Sequence, residues 1–145
     1  MKKEWIEVVG YEREGYQPLI DYEAWRVAIL NYCEELSIDE IEKMQKHNKT
    51  DEVFVLLDGE CTLFTGGMGD SIEEIDAIFM KPNQIYNVKK GVWHTHTLNQ
   101  KGKVLIVENQ DTSDENSPTL LLNLEQKALL RSCFEIISAN AKSMV

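Results

Sequence analysis

The sequence contains few cysteines, and none of them is paired at a metal-binding or redox spacing. Its three cysteines, Cys33, Cys61 and Cys133, are odd in number and lie far apart in the chain. Because no C-x-x-C pair exists, a zinc knuckle and a thioredoxin-type site are excluded. Free cysteine is among the most buried residue types in proteins. We therefore expect three reduced thiols that are buried and have no catalytic role.

Basic residues are also scarce. The chain has 15 lysines and arginines against 25 aspartates and glutamates, which gives a formal net charge of −10 at pH 7. A chain with this charge is repelled by phosphate backbones and by anionic lipid headgroups. The composition therefore predicts no nucleic-acid partner and no membrane partner.

Long apolar runs are absent as well. No segment approaches the roughly 20 apolar residues that a transmembrane helix requires. Residues 1–5 do not contain the apolar core of a signal peptide. We therefore expect a cytoplasmic protein.

What the sequence does contain is the composition of an ordinary globular domain. Its 145 residues are 43% hydrophobic and 28% charged, without internal repeats or low-complexity tracts. A chain of this length hides roughly two-thirds of its unfolded surface, so it needs neither disulfides nor metal in order to fold. We predict a single domain over residues 1–145, with a barrel core over about 22–122.

Short runs of β-branched and aromatic residues, separated by turn signals, predict many strands. Residues 11–22 are charged and read as a loop, and Asp58-Gly59 is typical of a hairpin turn. Parallel β/α units would need a crossover helix between strands, and from residue 53 onwards the segments between the predicted strands are too short to form one. The pattern therefore favours an all-β sandwich or barrel. The predicted strands are 25–33, 53–57, 61–65, 75–80, 84–88, 92–98 and 103–108. For residues 25–33 a helix is the alternative, because Ala24 and Ala28 favour one.

Two helices are predicted beside the strands. Ser37 and Glu40 have the spacing of a capping box, which predicts a short helix from Ser37 to about Lys43 or Met44. Asn123 and Gln126 predict the start of a C-terminal helix over about 124–140. Its apolar stripe is expected to pack on a sheet face or on a partner subunit. Together with open sheet edges, this stripe predicts a homodimer.

The three histidines fall beside predicted strands, at a spacing that points to a known family. His47 is followed by Glu52 and then by Gly59, and His94 follows Gly91 by three residues. This pattern resembles the two motifs of the cupin superfamily. The first motif has two histidines separated by one residue, then a glutamate, then a glycine. The second motif runs Pro-x-Gly-x-x-His-x-x-x-Asn. The chain departs from these motifs at three positions, which hold Gln45, Lys89 and Leu98.

The resemblance implies a double-stranded β-helix, the cupin or jelly-roll barrel. It also implies a divalent metal ion, Fe, Mn, Ni or Zn, held by His47, Glu52 and His94. Alternation along the strands agrees, because it places Glu52 on one face with Phe54, and His94 on one face with His96. If both faces point inward, two imidazoles and one carboxylate meet and leave coordination positions open for a substrate.

Four further residues are candidates around this site. If residues 43–47 form a strand, Gln45 faces the same way as His47 and could offer an amide oxygen to the metal. If the helix that begins at Ser37 continues this far, His96 could replace the missing first histidine, or it could support the ligands from behind. Lys89 and Trp93 are candidate residues of the substrate pocket, with packing as the alternative for Trp93.

A narrower resemblance covers residues 86–94, which are similar to the tyrosine-to-GVWH stretch of ureidoglycolate lyases. Taken together, the sequence predicts a metal-dependent lyase or isomerase that acts on a small polar molecule. The alternative is a metal-free cupin that binds a small molecule or another protein, because fold does not determine function.

Overall fold

The computed structural model describes residues 5–143, so the predictions for residues 1–4 lie outside the described part. Most of the regular structure in these residues is β-strand, and one long helix follows the last strand. The strands are β1 (Gly15–Tyr22), β2 (Trp25–Asn31), β3 (Lys43–Gln45), β4 (Glu52–Asp58), β5 (Cys61–Thr65), β6 (Asp76–Phe79), β7 (Tyr86–Val88), β8 (His94–Leu98), β9 (Lys103–Asn109) and β10 (Thr119–Leu121), and the helix is α1 (Leu124–Ser143).

The strands form two antiparallel sheets of five strands each. One sheet has the order β1-β2-β9-β4-β7 and the other has the order β10-β3-β8-β5-β6. The mostly-β architecture predicted from the sequence is therefore confirmed. None of the helices in residues 5–143 is both long enough and apolar enough to cross a membrane.

The main core lies between the two sheets. Buried and less buried residues alternate along β4 and β9, as expected for strands with one face turned inward. Phe54 and Ile106 from the first sheet belong to one continuous cluster with Leu63 and Leu98 from the second. This burial is the largest favourable contribution to folding.

The C-terminal helix covers the other face of the second sheet. Asn123 and Gln126 cap it reciprocally, because each backbone N–H donates to the other side chain, at 2.9 and 2.7 Å. Leu130 is buried in a second cluster with Met44 and Phe64, and Phe134 packs against it. The predicted cap and the packing of the stripe on a sheet are confirmed.

The predicted hairpin at Asp58-Gly59 is wrong. The turn exists, with Gly59 at a φ of +65°, but it carries the chain from one sheet to the other, and β4 does not pair with β5. A Cβ at Gly59 would lie 2.4 Å from the carbonyl carbon of Lys101. Glycine is therefore required here both by the backbone conformation and by a close backbone approach.

The predicted helix from Ser37 to Lys43 or Met44 is also wrong. The chain makes only two 3-10 turns, Glu34–Leu36 and Ile38–Glu40, before it becomes extended. The Ser37 hydroxyl donates to the Glu34 carbonyl at 2.7 Å instead of capping a helix. Residues 43–45 pair with β10 and β8, and this tertiary pairing overrides the local helix signal.

The predicted loop over residues 11–22 is corrected from Gly15 onwards. Residues 15–22 form β1, which pairs with β2 at the edge of the first sheet. The register shifts between Pro18 and Ile20. Proline is tolerated at an edge and at an irregularity of this kind, because its missing N–H is not needed there.

Candidate metal centre

Three neighbouring segments of the chain bring His47, Glu52 and His94 together at one end of the barrel. Glu52 is the first residue of β4 and His94 is the first residue of β8. His47 lies two residues beyond β3, and its carbonyl accepts a hydrogen bond from the N–H of Gly91 at 2.9 Å. The geometry follows from the pairing of β3 with β8, in which Gln45 is opposite His94.

The two histidines converge on a single carboxylate oxygen. Nε2 of His47 lies 3.0 Å and Nε2 of His94 lies 2.9 Å from Oε1 of Glu52. One candidate ligand atom from each residue lies within 4.8 Å of the other two, and all three residues are buried. Two imidazole nitrogens and a carboxylate oxygen form a donor set that suits Fe, Mn, Ni or Zn.

The opposite ring nitrogens are fixed by the surrounding chain. Nδ1 of His94 lies 2.9 Å from the carbonyl oxygen of Val92, which only accepts hydrogen bonds. Nδ1 of His47 lies 2.7 Å from the hydroxyl of Ser117, which itself donates to the side-chain oxygen of Asn116. Both Nδ1 atoms therefore carry the proton, and each Nε2 is directed at the cluster. This is the arrangement found around metal-ligating histidines, so the residues fit a divalent metal ion.

The electrostatics of the cluster favour a charged carboxylate. Burial raises the pKa of Glu52, but hydrogen bonds from His47 and His94 outweigh it and hold that pKa well below its usual range. Burial lowers the pKa of His47, but the hydrogen bond and charge of Glu52 outweigh it, so this pKa is raised overall. Without a metal, the charged carboxylate of Glu52 is thus stabilised by its contacts with the two imidazole rings.

A fourth titratable residue, Glu108, was not identified from the sequence. It is buried next to the end of β9, and the hydroxyl of Tyr16 donates to its Oε1 at 2.7 Å. Burial, together with the nearby carboxylate of Glu52, raises the pKa of Glu108 to about 7. A signal was present, since Glu108 continues the inward face of Val104 and Ile106 at a period of two.

Gln45 and His96 are near the cluster but have other surroundings. The side-chain amide of Gln45 donates to the carbonyl of Ser117 at 3.0 Å. His96 lies outside the group of ligand atoms around Glu52. Its ring is 5.7 Å from that of Phe54, and burial lowers its pKa to about 4.

A cavity of about 530 Å³ opens onto the cluster. Besides the three cluster residues, its walls include Tyr16, Arg26, Gln45, His96, Ile106 and Glu108. This volume accommodates a small molecule.

Lys89 and Trp93 do not line this cavity. Trp93 is buried in the cluster beneath α1, where its indole N–H donates to the carbonyl of Gly69 at 2.8 Å. Lys46 lies 4.7 Å above its ring. Lys89 is exposed beyond β7, and alternation on the approach to β8 turns Trp93 away from the side on which His94 lies, as the packing alternative for Trp93 expects.

No protein-family model and no curated protein matches the chain. Solved structures do match it. The Streptomyces protein Pac13, described as a nucleoside dehydratase, is 7% identical, with 79% of this chain and 86% of that chain covered at a TM-score of 0.54. The capsular polysaccharide assembling protein CapF of Staphylococcus aureus is 17% identical, with a TM-score of 0.52. That match covers 81% of this chain but only 32% of CapF.

A cupin-2 domain protein of Shewanella frigidimarina is 16% identical, with 69% of this chain and 85% of that chain covered at a TM-score of 0.49. At these identities the matches describe the fold alone. The described residues share their fold with Pac13 and with the matched part of CapF.

Proposed function

We propose that the chain binds a divalent metal ion through His47, Glu52 and His94 and is an enzyme that acts on a small polar molecule. The observation that carries the proposal is the convergence of two Nε2 atoms on one oxygen of Glu52 at the wall of a cavity. The Nδ1 contacts with Val92 and Ser117 support it, because they hold both imidazoles in the tautomer that a metal requires.

A bound ion would supply Lewis-acid chemistry to a substrate oxygen. The ligand set has three members, which leaves coordination positions for a substrate. Of the chemistries compatible with such a site, we favour a lyase or isomerase reaction, in which a proton must be moved.

Glu108 is the group that the chain offers for this proton. Its carboxyl lies beside Glu52 and faces the same cavity, and Tyr16 orients it through a hydrogen bond. A carboxyl with a pKa near neutrality can both accept and donate a proton at physiological pH. Glu108 would therefore hold or release the proton at its carboxylate oxygen while the substrate is held in the cavity.

The test is metal loading of protein purified without a histidine tag. We expect wild-type protein to bind about one equivalent of Fe, Mn, Ni or Zn, as a three-ligand site predicts. We expect His94→Ala to lose this metal while its circular dichroism spectrum stays that of a folded protein. Cys33→Ser, which alters another residue of the cavity wall, is the matched control and should retain the metal. Unchanged metal content in His94→Ala, or no metal in wild-type protein, would refute the proposal.

A metal-free binding protein is the second candidate, and one observation favours it. Glu52 already has both imidazoles within hydrogen-bond distance without an ion, and the position of the first motif histidine holds Gln45, whose amide is directed at Ser117. Metal loading distinguishes the two candidates, because this second one predicts no stoichiometric metal under any condition.

A ureidoglycolate lyase-like activity is a narrower proposal, and it rests on residues 86–94. Within that stretch, His94 is the residue that lines the cavity. Direct assay with ureidoglycolate would test this activity, and absence of turnover by the metal-loaded protein would exclude it.

We also propose that the chain forms a homodimer. The first sheet ends at β1, and Tyr22 and Trp25 are exposed beside that edge. An unpaired sheet edge with apolar neighbours favours pairing with a second copy. Light scattering should give the mass of two chains at micromolar concentration, and a monomer mass would contradict the expectation.

A further inference from the structure

We propose that His96 binds the substrate, and that its Nε2–H donates a hydrogen bond to an uncharged oxygen, a carbonyl or a hydroxyl, of the molecule in the cavity. The inference shares the cavity with the proposed function but does not require a metal ligand role for His96. It begins from a polar atom that the fold leaves unsatisfied.

That atom is Nδ1 of His96. Among residues 5–143, it is the one buried side-chain nitrogen or oxygen without a hydrogen-bond partner. Native structures satisfy the large majority of such atoms, so an exception calls for an explanation. The ring packs against Phe54 at a centroid distance of 5.7 Å, in an apolar part of the core.

The burial of Nδ1 determines which ring nitrogen carries the proton. A buried N–H without an acceptor costs the full desolvation penalty of a donor, and an imidazolium would bury such a donor with a charge added. An unpaired acceptor lone pair at Nδ1 costs less than an unpaired N–H would. In native structures, buried N–H groups without a partner are rarer than buried acceptors without one. The proton of a neutral His96 is therefore on Nε2.

The ring also lines the cavity, and Nδ1 is the ring nitrogen that is enclosed without a partner. His96 thus presents a single donor, Nε2–H, to whatever occupies the cavity. Because His94 and His96 lie on the same face of β8, the two rings are separated by about 7 Å along the strand. A small molecule can span that distance, so one end could lie at the proposed metal site and the other at His96.

The charges on the cavity wall favour an uncharged acceptor. Glu35, Glu108 and Asp114 line it against Lys43 and Arg26. Arg26 is already paired with Asp21, with nitrogen–oxygen distances of 2.8 and 3.3 Å. In metal-free protein, a carboxylate or phosphate would therefore meet more acidic than basic groups, whereas a carbonyl or hydroxyl oxygen would not be repelled.

The first measurement is the tautomer of His96, read from ¹⁵N-histidine NMR spectra of wild-type protein. We expect an Nε2–H tautomer that does not change when zinc is added, while His47 and His94 shift. An Nδ1–H tautomer, or a zinc-induced shift of a His96 nitrogen as large as those of the other two, would overturn the proposal. This measurement requires no variant, so a folding defect cannot obscure it.

The second measurement uses glycolamide and glycolate as probes, because they match in size and differ in charge. In metal-free protein, glycolamide should shift the His96 signals saturably, and glycolate should bind at least about tenfold more weakly, as one unfavourable charge contact predicts. His96→Phe should lose glycolamide binding, His96→Gln should retain part of it through its amide N–H, and Ser71→Ala, an exposed change outside the cavity wall, should retain all of it. Equal affinity for the two probes, or unchanged binding by His96→Phe, would refute the assignment.

The metal content of His96→Gln separates this proposal from the proposed function. We expect it to equal that of wild-type protein, since His96 is outside the ligand group. If wild-type protein binds no metal but His96 shows the expected tautomer and probe selectivity, the proposed function fails and the His96 assignment stands.

Discussion

The two ends of the barrel interior are built on the same strands but have opposite chemistry. Along the inward face of β4, Glu52 is followed by Phe54 and Leu56, and along that of β9, Val104 and Ile106 are followed by Glu108. One end is therefore apolar and closely packed, while the other concentrates titratable groups around a cavity. The comparison shows that regular strand alternation can serve stability at one end and chemistry at the other without any change of backbone.

The apolar end should dominate stability. Phe54 is fully buried, so we expect Phe54→Ala to lower the free energy of unfolding by about 3–5 kcal/mol. Denaturant unfolding of metal-free protein measures this loss. Leu57→Ala on the same strand, where the side chain is 51% exposed, is the control and should change it by less than about 1 kcal/mol. Equal effects of the two changes would contradict the division between the ends.

The polar end should make stability depend on pH through Glu108. Its native pKa of about 7 lies above the ordinary value, so the native state binds this proton more tightly than the unfolded state does. The stabilisation that this bound proton gives to the native state is fully present below about pH 4.3 and is lost as pH rises through about 7.

Replacing Glu108 should remove this dependence. In metal-free protein, we expect Glu108→Gln to flatten the decline between about pH 5 and 8, a difference on the order of 3 kcal/mol at most. Thermal or denaturant unfolding across that range measures it, with the exposed Glu115→Gln as the control. An unchanged pH profile in Glu108→Gln would show that burial does not raise the pKa of Glu108.

The smallest expected effect concerns the support of His47. Ser117→Ala removes the acceptor of the His47 Nδ1 proton, so we expect metal affinity to fall by about 10–100-fold while the protein stays folded. Titration calorimetry with zinc measures the affinity, and the exposed Ser71→Ala should leave it unchanged. Equal affinities in the two variants would mean that the serine hydroxyl does not orient the ring.

Much of the fold was predictable because its signals are local. Runs of β-branched and other apolar residues at 53–57 and 103–108 identify those strands, and the Asn123 and Gln126 cap identifies the start of α1. Which sheet a strand joins depends on contacts between residues that are distant in the sequence. Turn chemistry at Gly59 predicts a reversal, but only the approach of Lys101 shows that the chain changes sheets there.

The candidate site was predicted in the same uneven way. The spacing of His47, Glu52 and His94 indicated a cluster, and the structure brings those three side chains together. Tyr16 was missed because the segment from 11 to 22 is charged and contains a proline, which conceals an edge strand. Glu108 was missed because a lone glutamate at the end of a strand looks like a solvent-facing residue until its neighbours in space are known.

The hydrogen bond between His47 and Ser117 determines how early in synthesis the cluster can form. The ring of His47 is held by Ser117, 70 residues later, and the backbone around it is held by Asn116 and Pro118. A ribosome that has released only the first hundred residues has therefore exposed all three histidines but not the serine that orients one of them. The orientation of His47 therefore depends on a segment that is made after all three histidines, so the cluster can take its observed geometry only once residues 116–118 have joined the fold.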